Sequence, residues 1–404
     1  MKFSKLSQLF LVSTLGLLVA VALSGCMIVT IDYVFVADST GNSTGSAGQI
    51  QIFAVDSQSG ALRQGATTVA SGGVDPVSMA TTGDYSNLYV VNASSNNLVH
   101  FAVSGDGQLT AKETTTLPDT PVAVAVNPTA NYLYVLYGSS SATLAVYTLS
   151  SGTVSSSALA TYPLTLSGYT NDTIVPTALN VLVTGTQVYA TIYDQSAYYP
   201  SGKVTSSAHP GWIFGFTVGS TGTLTATTSS PYQSGVKPSA VTSDPTYRFV
   251  YVTDYASNAL VGFTVGTNGQ LTYMLNGPFK TGNEPTGVAV DPRAKYIYVS
   301  NGLDNSVSAY SITYSSGAPS TIVNSASTSA YATDTQPVAI AVDPALGRFV
   351  YTTNRLGDSI SGFRLNADTG VLATTLTTPY VTDASPTALV IVPHGNHAIQ
   401  SVAQ

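Results

Sequence analysis

One phrase, written seven times with variations, constrains this chain more than anything else in it. Its clearest copy is RFVYVTDYASNALVGFTV, residues 248–265, in which two alternating apolar runs are joined by a polar DYASN. The first run recurs as YVFVAD ending at Asp38, LYVVN at Asn92, LYVLY at Tyr137, VYATI at Ile192, VYVTD at Asp254, IYVSN at Asn301 and VYTTN at Asn354. The second run carries an aromatic at a matching place: Phe53, Phe101, Tyr147, Phe216, Phe263, Tyr310 and Phe363. A glycine turn and a third run follow, as in SGAL, DGQL, TGTL, NGQL and TGVL. A fourth run opens at a proline and often closes at an Asx-Pro pair, as in PVAVAVNP, PSAVTSDP and PTGVAVDP. Period-2 alternation with this turn chemistry is the pattern of antiparallel hairpins.

The opening prolines stand at 76, 121, 176, 238, 285, 337 and 386, giving repeats of 45 to 62 residues. Four short strands at that period are the mark of propeller blades. The expected fold is all-β, a seven-bladed β-propeller of four-stranded antiparallel blades. A single blade cannot bury both faces, whereas a closed ring gives each blade two neighbours and removes the exposed edges. The chain begins in the second strand of a blade, at 31–38, and supplies an extra first strand at 388–392. A clasp is therefore expected, in which the last strand completes the blade that the first one begins. The propeller should span residues 31–393, leaving 394–404 as a tail with no assigned place. The aromatic columns and the Asp-Pro turns at 244, 291 and 343 are expected to be structural.

Ahead of the repeats, Lys2 and Lys5 precede an apolar run from Leu9 to Leu23 that ends in Leu-Ser-Gly-Cys. That is the layout of an export signal, and the tetrapeptide resembles a bacterial lipobox. Residues 1–25 are expected to be removed and Cys26 lipidated, with 26–30 as a short tether. The chain would then be an exported lipoprotein, facing the periplasm or the cell surface and held at the membrane through Cys26. Cys26 is the sole cysteine, so no disulfide can form within the chain. Without residues 1–25 the chain carries 11 basic against 20 acidic side chains, which argues against a nucleic-acid partner. A monomer is expected.

The phrases YVTDYASNALVGFTV and PTGVAVDPRAKYIYVSNGLDNSVSAYSI resemble the YVTN-type seven-bladed propellers of the lactonase family, which groups 6-phosphogluconolactonase with muconate-cycloisomerase-like proteins. The resemblance covers nearly the whole chain beyond residue 26. It implies the propeller, and with it lactone chemistry, although one propeller scaffold hosts many functions. It also implies a histidine directly after a blade proline, where it could act as a general base. Here those places hold Val77, Val122, Thr177, Ser239, Thr286, Val338 and Thr387.

Ligands of such rings meet the face that carries the loops between second and third strands and the linkers between blades. Two sets of residues map there. The strand ends contribute Asp254, Asn301 and Asn354, with Tyr193 and Asp194 in the fourth copy of the phrase; short polar side chains at such places also serve turns. The linkers contribute Lys237 and Glu284, at equivalent positions of adjacent blades, where they could pair with each other or bracket a polar ligand. Glu113 and Glu284 are the only glutamates. An insertion, YDQSAYYPSGKVTSSAHPGW at 193–212, adds Tyr198, Tyr199, Lys203, His209 and the single tryptophan, Trp212, a set suited to stacking on a flat ligand. Arg355 follows Asn354 and could bind an anion. No cofactor and no metal site are expected, because the tail histidines His394 and His397 have no third ligand in view along the chain. Two functions remain open. One is a binding module for a glycan, peptide or protein. The other is a lactone hydrolase or cycloisomerase, with Glu284, Asp254 or His209 as base and Lys237 or Arg355 as anion stabiliser.

Overall fold

The computed structural model describes residues 29–39, 47–65, 68–139, 141–166, 173–195, 211–322 and 330–402. Cys26 and the segment before it, together with Tyr198, Tyr199, Lys203 and His209, lie outside them. The described residues form seven antiparallel sheets, one per repeat. The blade opened by Pro238 is representative: Pro238–Ser243 lies innermost, followed outward by Phe249–Asp254, Ala259–Val265 and a split outer strand, Leu271–Tyr273 and Phe279–Lys280. Six blades have their outer strand divided in this way, and the blade opened by Pro76 has it continuous as Leu109–Thr116. Short outer segments leave little unpaired edge for another chain to add to.

Closure follows the expected clasp. Pro386–Pro393, from the end of the chain, pairs antiparallel with Thr30–Asp38, from its beginning. The innermost strands then pack side by side all the way round, Pro386–Pro393 against Pro76–Thr81 included. Hydroxyls tie neighbours together at the prolines. Ser239 donates to the carbonyl of Pro285 at 2.6 Å, Thr286 to that of Pro337 at 2.7 Å, and Thr387, across the clasp, to that of Pro76 at 2.5 Å. Three of the positions where the family resemblance led one to look for histidine thus join blade to blade.

The repeated tyrosine explains why the phrase is repeated. Tyr89, Tyr189, Tyr251, Tyr298 and Tyr351 are fully buried, and each donates its hydroxyl to a glycine carbonyl in the outer turn of the next blade: Gly152, Gly269, Gly317, Gly370 and Gly60, at 2.7 to 2.8 Å. Those glycines need their freedom; Gly370 has φ +71°, and a Cβ there would stand 2.4 Å from the ring of Tyr296. The same site on the clasp blade is Phe35, which packs without a hydroxyl. Replacing Tyr298 with phenylalanine leaves the Gly370 carbonyl unpaired in a dry interface, and a loss of about 1–2 kcal/mol is expected. A thermal melt should show it as a fall of a few degrees.

On the opposite side, in three of the blades, aspartates close the turns between first and second strands. Asp244 accepts the backbone N–H groups of Arg248 and Phe249, and Asp291 those of Lys295 and Tyr296, at 2.7 to 2.8 Å. Asp343 does the same for Ala345 and Arg348. Beyond the clasp strand the tail forms a short 3-10 helix, Gly395–Ile399, and the His394 ring meets Tyr33 edge-on at 5.1 Å.

Candidate functional site: the linker face

Each blade presents one face of b–c type loops, between its second and third strands, together with the linker to the next blade. On this linker face the residue before several blade prolines has a left-handed backbone: Asp75 (φ 63°), Glu284 (53°), Gln336 (58°) and Ser385 (57°). Such backbones persist where the surroundings hold them. A side chain of the preceding loop does so here. Asn258 Oδ1 accepts the Glu284 N–H at 2.8 Å, Asn305 Oδ1 that of Gln336 at 2.8 Å, and Asp358 Oδ1 that of Ser385 at 2.7 Å. Asn258, Asn305 and Asp358 are themselves left-handed, a conformation that asparagine and aspartate tolerate. The Glu284 side chain therefore starts from a fixed backbone.

The strand-end residues serve the linkers and do not point at a ligand. Asp254 is buried and accepts the N–H groups of Val236 at 2.8 Å and Lys237 at 2.9 Å. Asn301 accepts from Gly282 N–H at 3.1 Å and donates to Ser306 and Ser308. Asn354 donates to Ser359 and Ser361, both at 3.0 Å. Their polar atoms are consumed, so Asp254 positions Lys237 from behind.

Lys237 itself is half-buried, with its ammonium 5.3 Å from the ring centre of Tyr193 and 4.9 Å from that of Tyr255. That is cation–π geometry on two sides. Tyr193 reaches it because strand Gln187–Asp194 runs two residues past Ile192, which faces Pro176 as Asp254 faces Pro238. Asp194, at the tip, is buried as well. Lys237 and Glu284 form no ion pair among the described residues; the lysine turns to the aromatic rings. Trp212 sits elsewhere than its loop position suggested. It belongs to strand Gly211–Val218, pairs with Ile192 and packs into the apolar cluster that contains Ile192 and Phe214. Neighbouring residues of a strand point to opposite faces, so Tyr193 and Trp212 do not share a surface. Arg355 is exposed on the same face, one blade beyond Glu284, and its backbone N–H donates to the Gln336 carbonyl at 2.8 Å.

Asp38, read from the sequence as one more member of the strand-end ring, stands apart in the structure. It occupies the strand-end position of the clasp blade, fully buried, and among the described residues neither of its oxygens has a hydrogen-bond partner. In its blade the linker N–H groups are already taken, Asp383 N–H by Gln51 and Ser385 N–H by Asp358. Burial first, and then the nearby Asp383 and Asp358 charges, push its pKa up to about 8. A carboxyl that keeps its proton near neutrality can give it up within the physiological range. In the sequence Asp38 looks identical to Asp254, and only the neighbouring linkers tell them apart.

A family model described as lactonase, 7-bladed beta-propeller, matches residues 33–176 and 106–402. The chain belongs to this family. Among solved structures it is similar to a periplasmic gluconolactonase from Pseudomonas aeruginosa, 18% identical, covering 90% of this chain and 99% of that one with a TM-score of 0.71. It is similar also to two proteins provisionally assigned as 6-phosphogluconolactonases. The one from Bacteroides fragilis is 17% identical over 91% of this chain and 99% of that one (TM-score 0.69). The one from Bacteroides uniformis is 18% identical over 90% and 100% (TM-score 0.70). At these identities the likeness is one of fold. No curated protein matches the sequence.

In this lactonase-family propeller the guanidinium groups are unevenly shared between the faces. Arg248 and Arg293 belong to the turns between first and second strands, away from the linkers. There Arg248 stacks on Tyr314 at 4.5 Å and Arg293 pairs with Asp291 at 2.7 Å. Arg348 lies over Phe349 on that side too. Among the described residues the linker face keeps Lys237, Lys280 and Arg355 as its cations, spread over three blades.

Proposed function

We propose that this lactonase-family propeller hydrolyses an unphosphorylated sugar lactone at its linker face, outside the cytoplasm. The observation that carries the reading is the Lys237 ammonium, held between two tyrosine rings on a linker adjacent to the one that bears Glu284. Water adding to a lactone carbonyl makes an oxyanion, and a fixed cation at that oxygen stabilises it most in the transition state. Glu284 is the carboxylate placed to take the proton from the attacking water. The rings of Tyr193 and Tyr255 give the C–H face of a sugar a wall to lie on. Support for an unphosphorylated substrate comes from Arg248, Arg293 and Arg348, which gather on the other face, away from where a phosphate would be gripped, and leave Arg355 as the one guanidinium placed on the linker face among the described residues. Support for export comes from the Lys2 to Cys26 segment, with Cys26 as the point of lipid attachment.

A binding module without chemistry, taking a glycan, peptide or protein, is the second reading. It is favoured by the residues after the blade prolines, where hydroxyls stitch blades together and no histidine stands. A lactonase assay on the chain beginning at Met27 separates the two. Turnover of glucono-1,5-lactone is expected, weaker on its 6-phosphate, with Glu284→Gln lowering kcat by about 10²-fold. No turnover on any aldonolactone, with the β-sheet spectrum intact, sends the reading to the binding module.

A further inference from the structure

On the face opposite the linkers, three segments distant in sequence meet where the ring closes. Asp32 comes from the first strand, Asp343 from the turn after strand Pro337–Val342, and His397 from the tail helix. All three are buried, Asp32 and Asp343 completely and His397 to within 5%. His397 Nε2 lies 3.2 Å from Asp343 Oδ1 and 3.4 Å from Asp32 Oδ1, and one ligating atom from each residue falls within 4.8 Å of the others. His397 Nδ1 is 2.7 Å from Gln400 Oε1.

The turn explains Asp343, since Asp244 and Asp291 hold their own turns in the same way. It does not explain Asp32. No other blade needs a carboxylate there, and among the described residues neither oxygen of Asp32 accepts a hydrogen bond. Two carboxylates in a dry site face one imidazole, with the Arg348 guanidinium acting on Asp32 more weakly than His397 does. Orphaned buried carboxylate oxygens call for an occupant.

We propose that Asp32, Asp343 and His397 bind a divalent transition-metal ion of the zinc class, which clips the two ends of the chain together. Nitrogen and oxygen ligands about 2.0–2.2 Å from zinc in tetrahedral array stand about 3.3–3.5 Å apart. The 3.4 Å from Nε2 to Asp32 Oδ1 matches that edge, and the 3.2 Å to Asp343 Oδ1, which is also hydrogen-bond length, falls just short of it. Gln400 supplies the outer contact that metal-bound histidines regularly make, accepting from Nδ1–H and leaving Nε2 its lone pair for the ion. One nitrogen and few oxygens suit zinc better than calcium, which takes six to eight oxygens. The free second oxygen of Asp32, or a water, completes four-fold coordination. The tail histidine, without a third ligand along the chain, gains two carboxylates through the fold.

The test is metal analysis of the purified protein, with thermal melts before and after chelation and after adding back zinc, calcium or magnesium. About one zinc per chain is expected, with a fall in Tm of about 5 °C or more on chelation that zinc restores and calcium and magnesium do not. Asp32→Asn and His397→Gln should lose both the metal and the response. Protein that carries no metal, and whose Tm neither chelator nor added zinc moves, would overturn the site and leave a histidine–carboxylate ion pair. Should a variant fail to fold, the wild-type chelation and add-back series decides the matter alone. Lactonase activity is not the readout, so this result stands apart from the fate of the linker-face reading.

Discussion

Lys237→Met should lower kcat/KM on the preferred lactone by about 10²–10³-fold, or ~2.7–4 kcal/mol of transition-state stabilisation, while leaving Tm nearly unchanged. The two halves of that expectation have separate causes. The loss follows from removing the one cation that the two tyrosine rings hold at the linker of its blade. The retained stability follows from Asp254, which grips the backbone N–H of residue 237 and not its side chain. Methionine keeps the apolar stem against Tyr193 and Tyr255. Steady-state kinetics and a melt on the same preparation check both halves. An unchanged kcat/KM would move the oxyanion partner to Arg355 or Lys280, the cations exposed on that face.

Asp38→Asn should stabilise the fold, and the gain should depend on pH in a defined direction. The Asp38 carboxyl has its pKa raised to about 8 in the folded chain, through burial and then Asp383 and Asp358, against about 3.9 when unfolded. Between those two values the folded chain binds more protons at this site than the unfolded one. Unfolding free energy therefore falls as pH rises through that window. Below about pH 4 the group is neutral in both states and costs nothing. Asparagine, neutral throughout, removes the penalty: no gain is expected near pH 4, and about 1–3 kcal/mol near pH 7. Denaturant melts at pH 4, 5.5, 7 and 8 measure it. A gain that is flat across pH would mean that the Asp38 pKa is the same in the folded and the unfolded chain, and a loss that grows with pH would mean that Asp38 is ionised and stabilised in the native state. Natural retention of so costly a carboxyl at the mouth fits a group kept for function.

The repeat made the ring legible because five of its seven copies state the same packing rule. Tyr251 and Tyr298 reach the next blade in the same way, and alternation fixes which side chains face it. The clasp was legible as well, since one strand was missing at the start and one was spare at the end. The site was less so. Asp254, Asn301 and Asn354 looked like a polar ring open to a ligand, but each spends its side chain on backbone groups or serines nearby. Which N–H groups a strand-end carboxylate finds depends on how the adjoining linker is held, and the motif does not record that. Asp254 is satisfied and Asp38 is not, though both end the same phrase. Trp212 was read as part of a long loop, whereas it is the second residue of a strand whose partner, Ile192, sets it against the apolar cluster. Asp32 and His397 are 365 positions apart in the chain and meet only because the ring closes.

Strand Thr30–Asp38 also has a direction. It enters the ring at the face of the aspartate turns and leaves at the linker face, where Asp38 lies. Whatever holds the chain upstream of Thr30 holds it by the turn side. Three residues separate Cys26 from Thr30, and the four Cα-to-Cα steps between them, fully extended, reach about 14 Å. A lipid at Cys26 would lay the turn side close against the bilayer and aim the linker face outward. Substrate would then arrive from the aqueous side without having to pass between protein and membrane.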